Sequence, residues 1–357
     1  MTPLATKRRS PIGLDIGSRT IKAAQLVRAG SRLRLAAAVA LDRAEPGEPF
    51  SPAEAERLRR VLGWQGFAGS SVVAAAPDQA LLAGVLELPP RSSGAPVDQI
   101  ARAEIGRIHR CEPDALEAAF WELPPPARPN SNGPMSLVVA CAHDRAQSLL
   151  DALDEPGLEL AGLDSRGWAL ARACSPLIED PQSLTAVLDL GWRSGQLTLI
   201  HRGLVIYERV LGGVGVEAMI EAIRRQMNLP VSMIEHLLAA LGLDEAAASC
   251  QEDRLLAGRL RGPLEAHLEH LAQELSLSLA YASSQYPDAP IQRLLVTGAG
   301  ASIPGLVEQL AQGVETPVTA VTPADVCDVP ASLEAQARRG DLLAAVGLAM
   351  YPPELMT

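Results

Sequence analysis

Short apolar runs separated by turn residues fill the first third of the chain. Their apolar positions form short blocks or alternate with polar ones, as they do in β-strands. Ser51 and Pro52 supply a helix cap and a helix-starting proline, which predicts a helix over residues 53–62. Strands that alternate with helices at this spacing predict an α/β fold. The expected strands are residues 11–14, 21–27, 33–41 and 71–76.

The segment over about residues 80–160 has a β-α-β-β-α pattern, which indicates a compact insert in the first domain. A proline-rich run over 124–134 separates its last two strands and predicts a surface loop. A helix over 163–174 and a proline-containing linker over 175–183 follow. The expected strands of the insert are residues 80–88, 116–123 and 136–141, and its expected helices are 97–108 and 144–153.

The opening pattern returns in the second half of the chain. Residues 184–191 again form a predicted strand that ends in an acid, one residue and a glycine, about 175 residues after the first copy. Such an internal repeat predicts two similar domains. We therefore expect a first lobe over 1–183 and a second lobe over 184–340, with a C-terminal helix over 341–357 closing the first. The other expected elements are strands over 195–200, 203–210 and 291–296 and helices over 216–228, 232–241, 255–284 and 304–310.

The composition argues against several classes of protein. The net charge of −11 and the lack of a long basic stripe argue against broad nucleic-acid binding. The longest apolar runs fall short of the roughly 18–20 residues that span a bilayer. The basic start, residues 7–9, has no apolar region of a secretory signal behind it. The five cysteines are scattered without a C-x-x-C pair, so we expect reduced thiols rather than disulfides or a zinc site.

The turn after the first strand has the chemistry of a phosphate site. Gly17 permits a tight turn, in which backbone N–H groups and the hydroxyls of Ser18 and Thr20 face one point. Asp15 ends the strand where a phosphate-bound Mg²⁺ keeps its waters. Lys22 is one of only two lysines among 31 basic residues, which favours a role as a compact point charge beside an anion. The alternative is an ordinary β-hairpin with an Asp-x-Gly-Ser turn.

Three motifs in one order resemble the nucleotide loops of the actin-like ATPase superfamily. They are D-x-G-S-x-x-x-K from Asp15, D-x-G from Asp189 and T-G-A-G-A from Thr297, the last between a strand and a helix whose N-terminal N–H groups suit an anion. Within the superfamily the chain resembles the PilM family of type IV pilus assembly, over roughly residues 10–351. The other matching pieces are Leu88-Pro89, Ala140–Ala142, Gly157-Leu158, Gly212-Gly213 and Ala345–Ala349.

The resemblance implies a two-lobed actin-like (ribonuclease H-like) α/β fold, with duplicated β-sheet domains, a small inserted subdomain and bound ATP and Mg²⁺. It also implies a cytoplasmic scaffold at the inner face of the inner membrane, serving pilus, competence or secretion assembly. The insert and the first lobe would grip the N-terminal cytoplasmic peptide of a PilN-type inner-membrane protein. Other pilus assembly proteins are expected partners as well, whereas nucleic acid is not, and the membrane is reached only through partners.

The resemblance also assigns roles to residues of this sequence. The first turn would surround the β- and γ-phosphates, and the second turn would close on them. Asp15 and Asp189 would hold Mg²⁺ through water, and no catalytic residue is assigned. Gly298 and Gly300 would let the backbone approach the nucleoside, although they equally suit close packing of a strand and a helix. The full nucleotide-binding set is Asp15, Gly17, Ser18, Arg19, Lys22, Asp189, Gly191, Gly213, Glu235, Gly298 and Gly300.

Two departures from the family pattern favour ATP binding over ATP hydrolysis. Leu238 stands three residues after Glu235, where related proteins often carry a lysine. Trp192 and Arg193 replace small residues of the second turn. Arg193 either grips phosphate or fills the site as a built-in cation.

Other interpretations stay open from the sequence. A phosphoryl-transfer enzyme, either a sugar kinase or an exopolyphosphatase-like hydrolase, shares the D-x-G loops, but the second turn lacks a Gly-Gly-Gly-Ser run. An FtsA-like division protein would end in an amphipathic helix, whereas residues 351–357 are few and proline-rich. His267 and His270 are reachable by one metal, although a solvated helix face is favoured. Asp78 and Glu104 are candidate general bases by character alone.

Overall fold

Three β-sheets and the helices around them make up an α/β fold, as predicted. The described residues of this computed structural model are 9–30, 32–77, 80–126, 134–243 and 250–351. Four features of the sequence fall outside these ranges: most of the basic start, Asp78, the middle of the proline-rich loop and the end after Tyr351. Within the same ranges, no helix is both long and apolar enough to cross a bilayer.

The strands confirm most of the sequence pattern. Two sheets have five strands each, and the third has three. In chain order the strands are β1 (Ile12–Ile16), β2 (Thr20–Ala29), β3 (Arg32–Asp42), β4 (Ser71–Ala75), β5 (Leu81–Glu87), β6 (Leu116–Glu122), β7 (Met135–Ala142), β8 (Glu159–Asp164), β9 (Leu184–Leu190), β10 (Ser194–His201), β11 (Leu204–Gly212), β12 (Ile291–Thr297) and β13 (Val318–Ala320). Two of these strands, β8 and β13, were not predicted.

The helices lie against the sheets and connect their strands. The first begins as the sequence predicts, because the Ser51 side chain accepts a hydrogen bond from Glu54 N and Pro52 occupies its first turn. In chain order the helices are α1 (Pro52–Trp64), α2 (Val97–His109), α3 (His143–Asp154), α4 (Arg166–Cys174), α5 (Val216–Met227), α6 (Val231–Ala240), α7 (Gln251–Gln285), α8 (Leu306–Gln312), α9 (Pro323–Val326), α10 (Glu334–Ala337) and α11 (Leu343–Ala349).

The two five-stranded sheets have the same topology, which confirms the predicted repeat. The first has the order β3-β2-β1-β4-β8 and the second the order β11-β10-β9-β12-β13. In each, three antiparallel strands are followed by two parallel ones on the other side of the first strand. The acid-glycine turns after β1 and β9 therefore occupy equivalent places in the two sheets.

The insert forms the third sheet, with the antiparallel order β5-β7-β6 and with α2 packed on it. Its β-α-β-β-α order is the one predicted. Trp121 of β6 joins this sheet to the rest of the molecule. Its indole N–H donates to Val205 O of β11 at 2.9 Å, and its ring meets that of Trp168 edge-on at 4.5 Å. The insert thus contacts both α4 and the second large sheet.

Helices α4 and α11 cross at backbone distance under the first sheet. A Cβ on Gly347 would lie 1.8 Å from Ala169 O, so only glycine fits at this crossing. Arg172 of α4 reinforces the contact, since it donates to Gly347 O at 3.1 Å and pairs with Asp164. This crossing fixes the position of α4, whose first residue enters the candidate site.

Several predicted helix bounds are wrong. Helix α7 begins at Gln251, four residues before its predicted start, and the C-terminal helix expected over 341–357 begins at Leu343 and ends at Ala349. The helix expected over 163–174 begins at Arg166, because residues 159–164 form strand β8, paired in parallel with β4. This strand is short and lies at a sheet edge, so its apolar alternation is weak. The helix expected directly after the late glycine turn begins at Leu306, because a 3₁₀ turn over Gly300–Ser302 comes first.

Candidate functional site

The turn between β1 and β2 holds a buried acid between two cations. Asp15, near the end of β1, is 2% exposed. Lys22 Nζ donates to Asp15 Oδ2 at 2.9 Å, and Arg166 Nη2 donates to Asp15 Oδ1 at 3.0 Å. Gly17 leaves room for this arrangement, since a Cβ there would lie 2.7 Å from Lys22 Nζ. The two charged residues expected at this turn are therefore together, with a second cation that the sequence analysis did not indicate.

The charges around Asp15 keep its carboxyl group ionised. Burial alone would raise the pKa of Asp15, but the charges and hydrogen bonds of Arg166 and Lys22 outweigh burial and lower this pKa from 3.8 to about 2. A carboxylate with so low a pKa and both oxygens engaged is a poor proton acceptor. Asp15 is thus a fixed negative charge that holds two cations at the turn.

Arg166 reaches Asp15 from the first turn of α4. Ser165 caps this helix by accepting a hydrogen bond from Trp168 N at 3.2 Å, and its own hydroxyl donates to Glu208 Oε1 on β11 at 3.0 Å. Burial raises the pKa of Glu208, the Ser165 hydrogen bond opposes this rise, and the neighbouring Asp164 adds to it. The start of α4 is therefore tied to the second large sheet by a partly buried acid.

Asp189 takes in β9 the place that Asp15 takes in β1. Arg166 Nε lies 4.0 Å from Asp189 Oδ2, so one arginine faces both acids. Gly298 closes over Asp189 with a φ of +88°, and a Cβ there would lie 2.3 Å from Asp189 Oδ1. Gly300 packs on Leu190 instead, where a Cβ would lie 2.4 Å from Leu190 Cδ2. Of the two interpretations of Gly300, close packing is the one that fits these contacts.

The second turn, after β9, is closed by backbone hydrogen bonds. Gly191 N donates to Ser194 O at 3.0 Å. Two N–H groups at the start of α5 are also used: Val216 N donates to Gly191 O at 3.1 Å and Glu217 N donates to Trp192 O at 2.9 Å. The turn and the helix therefore satisfy each other's polar backbone groups.

Arg193 points away from the two acids. Its Nε lies 4.0 Å from Glu217 Oε2, and its side chain is 54% exposed. Its guanidinium also lies against the backbone of Gly47, where a Cβ would be 2.5 Å from Arg193 Nη2. The built-in cation that the sequence analysis considered for Arg193 is supplied by Arg166 instead.

Arg19 joins the two sides of the cleft, which is the space between the turns after β1 and β9. It forms an ion pair with Glu235 of α6, and its guanidinium carbon lies 3.9 Å from the ring centroid of Trp192. The backbone of the same turn is held by Gly47 N, which donates to Ser18 O at 2.8 Å. Arg19 and Glu235, both expected to contact nucleotide, therefore contact each other.

A cavity of about 220 Å³ lies beside the Arg19–Glu235 pair. Its walls are mostly apolar and include Leu238. Such a cavity with a few polar groups at its rim suits a flat heterocyclic base. Gly213, with a φ of +70°, turns the chain from β11 towards the α5 wall of this cavity. The lining residues are Arg19, Trp192, Val216, Ile220, Glu235, Leu238, Ala239, Ala299, Ser302 and Ile303.

The two acids expected to hold Mg²⁺ through water both contact Arg166 in this structure. Mg²⁺ takes carboxylate and water oxygens in a strict octahedral arrangement. Both oxygens of Asp15 instead accept hydrogen bonds from cations, and Asp189 lies beside the same Arg166. Across the described ranges, no group of three or more His, Cys, Asp or Glu side chains is placed to hold a metal ion.

The remaining candidate residues lie elsewhere. His267 is half-buried, with Nε2 3.1 Å from Val214 O, so the solvated face favoured from the sequence is wrong for it and holds for the exposed His270. Glu104 pairs with Arg107 on an exposed face of α2, away from any acid-glycine turn. None of these three residues adds a general base or a metal ligand to the cleft.

Residues 13–352 match the sequence profile of a family described as type IV pilus assembly protein PilM. The chain belongs to this family. A solved PilM–PilN type IV pilus biogenesis complex has a chain that is 22% identical, with a TM-score of 0.76 and with 96% of this chain and 98% of that chain covered. The matched profile spans both acid-glycine turns, the insert and helix α11.

Two other solved structures have the same fold at lower similarity. The ethanolamine utilization protein EutJ from Carboxydothermus hydrogenoformans is 14% identical, with a TM-score of 0.53 and coverage of 96% of this chain and 89% of that one. MreB5 of Spiroplasma citri bound to AMPPNP is 12% identical, with a TM-score of 0.54 and coverage of 97% and 96%. The actin-like ATPase fold expected from the sequence is confirmed for this PilM-family chain.

Arg166 is the residue of the cleft that sequence reasoning missed. A cation at the first position of a helix opposes the helix dipole, which favours acids there. Local choices that conflict with the element around them often mark functional sites. The signal was therefore present at Arg166, but the wrong start of the helix over 163–174 hid it.

Proposed function

We propose that this PilM-family chain is a nucleotide-binding scaffold of type IV pilus assembly, with ATP bound between the turns after β1 and β9. The observation that carries this proposal is the pair of cations, Lys22 and Arg166, held on Asp15 at a turn whose Arg19 lines an apolar cavity. Cations at a glycine turn suit phosphates, and the cavity suits a base. Family membership and the shared actin-like fold support the same assignment.

In this proposal the two turns divide the nucleotide between them. Gly17, Ser18 and Lys22 contact the phosphates from the first lobe, and the turn of Asp189 and Gly191 closes on them from the second, with the Asp189 carboxylate facing Arg166. The base enters the cavity lined by α5 and α6. Before it can do so, the Arg19–Glu235 pair opens or turns to face the ribose. The contributing glycines are Gly213 beside the base cavity and Gly298 beside Asp189, while Gly300 packs the chain after β12 against Leu190.

Binding without hydrolysis is the form of the proposal that the side chains support. A phosphoryl-transfer enzyme needs an acid that can take a proton from its nucleophile. Asp15 has a pKa of about 2 and both oxygens bonded, and Asp189 lies beside Arg166. The kinase and phosphatase alternatives are therefore not favoured.

The proposed partner is the N-terminal cytoplasmic peptide of a PilN-type inner-membrane protein. A chain of the same fold forms a complex titled PilM–PilN, which supports this choice. We place the peptide on the insert, about residues 80–160, and the first lobe. The proposal includes lobe boundaries at 1–183 and 184–340 and a cytoplasmic location at the inner membrane, reached through partners.

The nucleotide part of the proposal is tested by filling the base cavity. Ala239 lines the cavity on an exposed part of α6, so Ala239→Trp fills it without overpacking the core. Its neighbour Ala240 is exposed and lies outside the lining, which makes Ala240→Trp the matched control. In calorimetric titrations with ATP, the first variant is expected to lose binding and the second to keep it. Equal binding by both variants contradicts the assignment of the cavity.

The partner part is tested with the full chain and a fluorescein-labelled synthetic peptide of the PilN-type N-terminus. Fluorescence anisotropy is expected to show saturable binding that tightens when ATP is added. With Ala239→Trp, the peptide still binds but ATP has no effect. No binding of the peptide at saturating ATP contradicts the partner assignment and leaves the nucleotide assignment standing.

A further inference from the structure

The cleft contains a permanent cation, Arg166, that contacts both acids of the repeat. Arg166 donates to Asp15 Oδ1 at 3.0 Å, and its Nε lies 4.0 Å from Asp189 Oδ2. Its side chain is 14% exposed. A guanidinium keeps its charge at every physiological pH. The two carboxylates that could share the waters of a divalent cation therefore already share an arginine.

Lys22 completes the neutralisation of this group. Its Nζ donates to Asp15 Oδ2 at 2.9 Å, so each oxygen of Asp15 faces one cation. Two acids and two basic side chains balance each other before any ligand arrives. A divalent cation entering between Asp15 and Asp189 would have to displace a hydrogen-bonded arginine, and the two partly buried cations, Lys22 and Arg166, would then repel it.

The backbone that carries Arg166 is fixed from several sides. Ser165 caps α4 and donates to Glu208 of the second large sheet. A Cβ on Gly167 would lie 1.6 Å from Glu208 Oε1, so the first turn of α4 packs tightly on β11. At the other end of the helix, Arg172 is tied to Gly347 of α11. The helix is thus held at both ends, and the position of the Arg166 side chain is built into the fold.

We propose that Arg166 takes the place of the divalent cation, so that the chain binds the phosphates of ATP without Mg²⁺. This inference rests on the proposed nucleotide site. Guanidinium groups recognise phosphate oxygens through paired N–H donors, and Lys22 adds a point charge on the opposite side of Asp15. Arg166 acts as a binding and positioning residue for the phosphates, and no bond is made or broken.

The test is a calorimetric titration of the full chain with ATP, once in EDTA and once in excess Mg²⁺. The wild type is expected to bind in both, with dissociation constants within about threefold of each other. Arg166→Gln removes the charge and keeps a polar side chain of similar length. In EDTA this variant is expected to bind ATP at least about tenfold more weakly, and Mg²⁺ is expected to restore part of the loss.

Arg224→Gln is the matched control, because it removes one positive charge from an exposed ion pair on α5. It is expected to bind ATP like the wild type in both buffers.

Water proton relaxation with Mn²⁺ and ATP gives a second readout, in which Arg166→Gln immobilises more Mn²⁺ than the wild type does. Circular dichroism checks that each variant is folded. If Arg166→Gln does not fold, the two wild-type titrations still show whether ATP binding requires Mg²⁺.

The outcomes separate this inference from the proposed function. Binding by the wild type in Mg²⁺ but not in EDTA overturns the role of Arg166 and leaves nucleotide binding intact. Equal, Mg²⁺-independent binding by the wild type and Arg166→Gln also overturns the role of Arg166. Absence of binding in both buffers overturns the nucleotide assignment itself and this inference with it.

Discussion

The two acid-glycine turns share a topology but differ in their chemistry. In the first sheet the residue paired across the strands with Asp15 is Lys22, and in the second the residue paired with Asp189 is Gln196. The first turn therefore has a strand partner with a full charge, whereas the second has a neutral amide. The first turn also receives Arg166, while the cation of the second turn, Arg193, faces outwards.

This difference shows how a duplicated unit acquires two roles. The first turn brings Asp15, Lys22 and Arg166 together away from most solvent, where charge-assisted hydrogen bonds are strong. The second turn is filled by Trp192 and uses its carbonyl groups to cap α5. We infer that the first turn supplies most of the binding energy for phosphate, and that the second mainly closes the cleft.

The largest expected effect comes from removing the acid of each turn. Asp15→Asn leaves Lys22 and Arg166 facing a neutral amide, and we expect the free energy of unfolding to fall by about 3 kcal/mol. Asp189→Asn leaves Arg166 paired with Asp15, so we expect a loss of about 1 kcal/mol. Urea denaturation monitored by circular dichroism measures both. Equal losses would mean that the two turns are electrostatically alike.

The next effect is on ATP affinity. Lys22→Ala is expected to weaken ATP binding by about 2 kcal/mol, or roughly 30-fold, because it removes a cation held at the phosphates. Arg193→Ala removes the same charge from the second turn and is expected to change affinity by less than about threefold, since the side chain faces Glu217 and solvent. Calorimetric titration of both variants is the measurement. A larger loss for Arg193→Ala would reverse the comparison.

A smaller loss of stability is expected from the contact between the two turns. Arg19 pairs with Glu235 and stacks on Trp192, but its side chain is one-third exposed. Exposed ion pairs and cation–π contacts of this kind contribute about 0.5–1 kcal/mol each. Arg19→Ala is therefore expected to lower the free energy of unfolding by about 1 kcal/mol. A double-mutant cycle with Glu235→Ala isolates the ion pair, and a coupling well above 1 kcal/mol would show that it is a major link between the lobes.

Asp15 and Glu208, one acid from each large sheet, are expected to change the stability of the chain with pH in opposite directions. The pKa of Asp15 is lowered from 3.8 to about 2, so its contribution to stability is present above pH 3.8 and lost as the pH falls towards 2. Burial raises the pKa of Glu208 above 4.5, so its contribution is present below pH 4.5 and lost as the pH rises through the folded-state pKa.

Glu208→Gln tests the second half of this statement. The variant cannot ionise, so its stability relative to the wild type is expected to increase as the pH rises from 4.5 upwards. Thermal unfolding at a series of pH values measures the difference. A difference that stays constant with pH would mean that Glu208 ionises equally well in the folded and unfolded chain.

The sequence predicted the parts of the site that lie within a single strand and turn. Asp15, Gly17 and Lys22 are close along the chain, and a hairpin brings them together without further information. The same holds for Asp189 and Gly191. The sheet repeat was also readable, because apolar alternation and turn residues are local signals.

The parts that the sequence did not predict depend on packing between distant segments. Arg166 reaches Asp15 only because β8 joins β4 and because α4 is fixed against α11. Glu208 meets Ser165 because the second sheet packs on the start of the same helix. No local pattern encodes a contact between residues so far apart in the chain.

The most direct test of the account is hydrogen–deuterium exchange of the full chain with and without ATP. If ATP lies between the two turns, peptides covering residues 15–22, 187–195 and 232–241 become protected together, because binding suppresses local opening on both sides of the cleft. Peptides from α2 in the insert stay unchanged. Protection confined to one turn, or absent from both, would contradict the claim that nucleotide joins the two lobes.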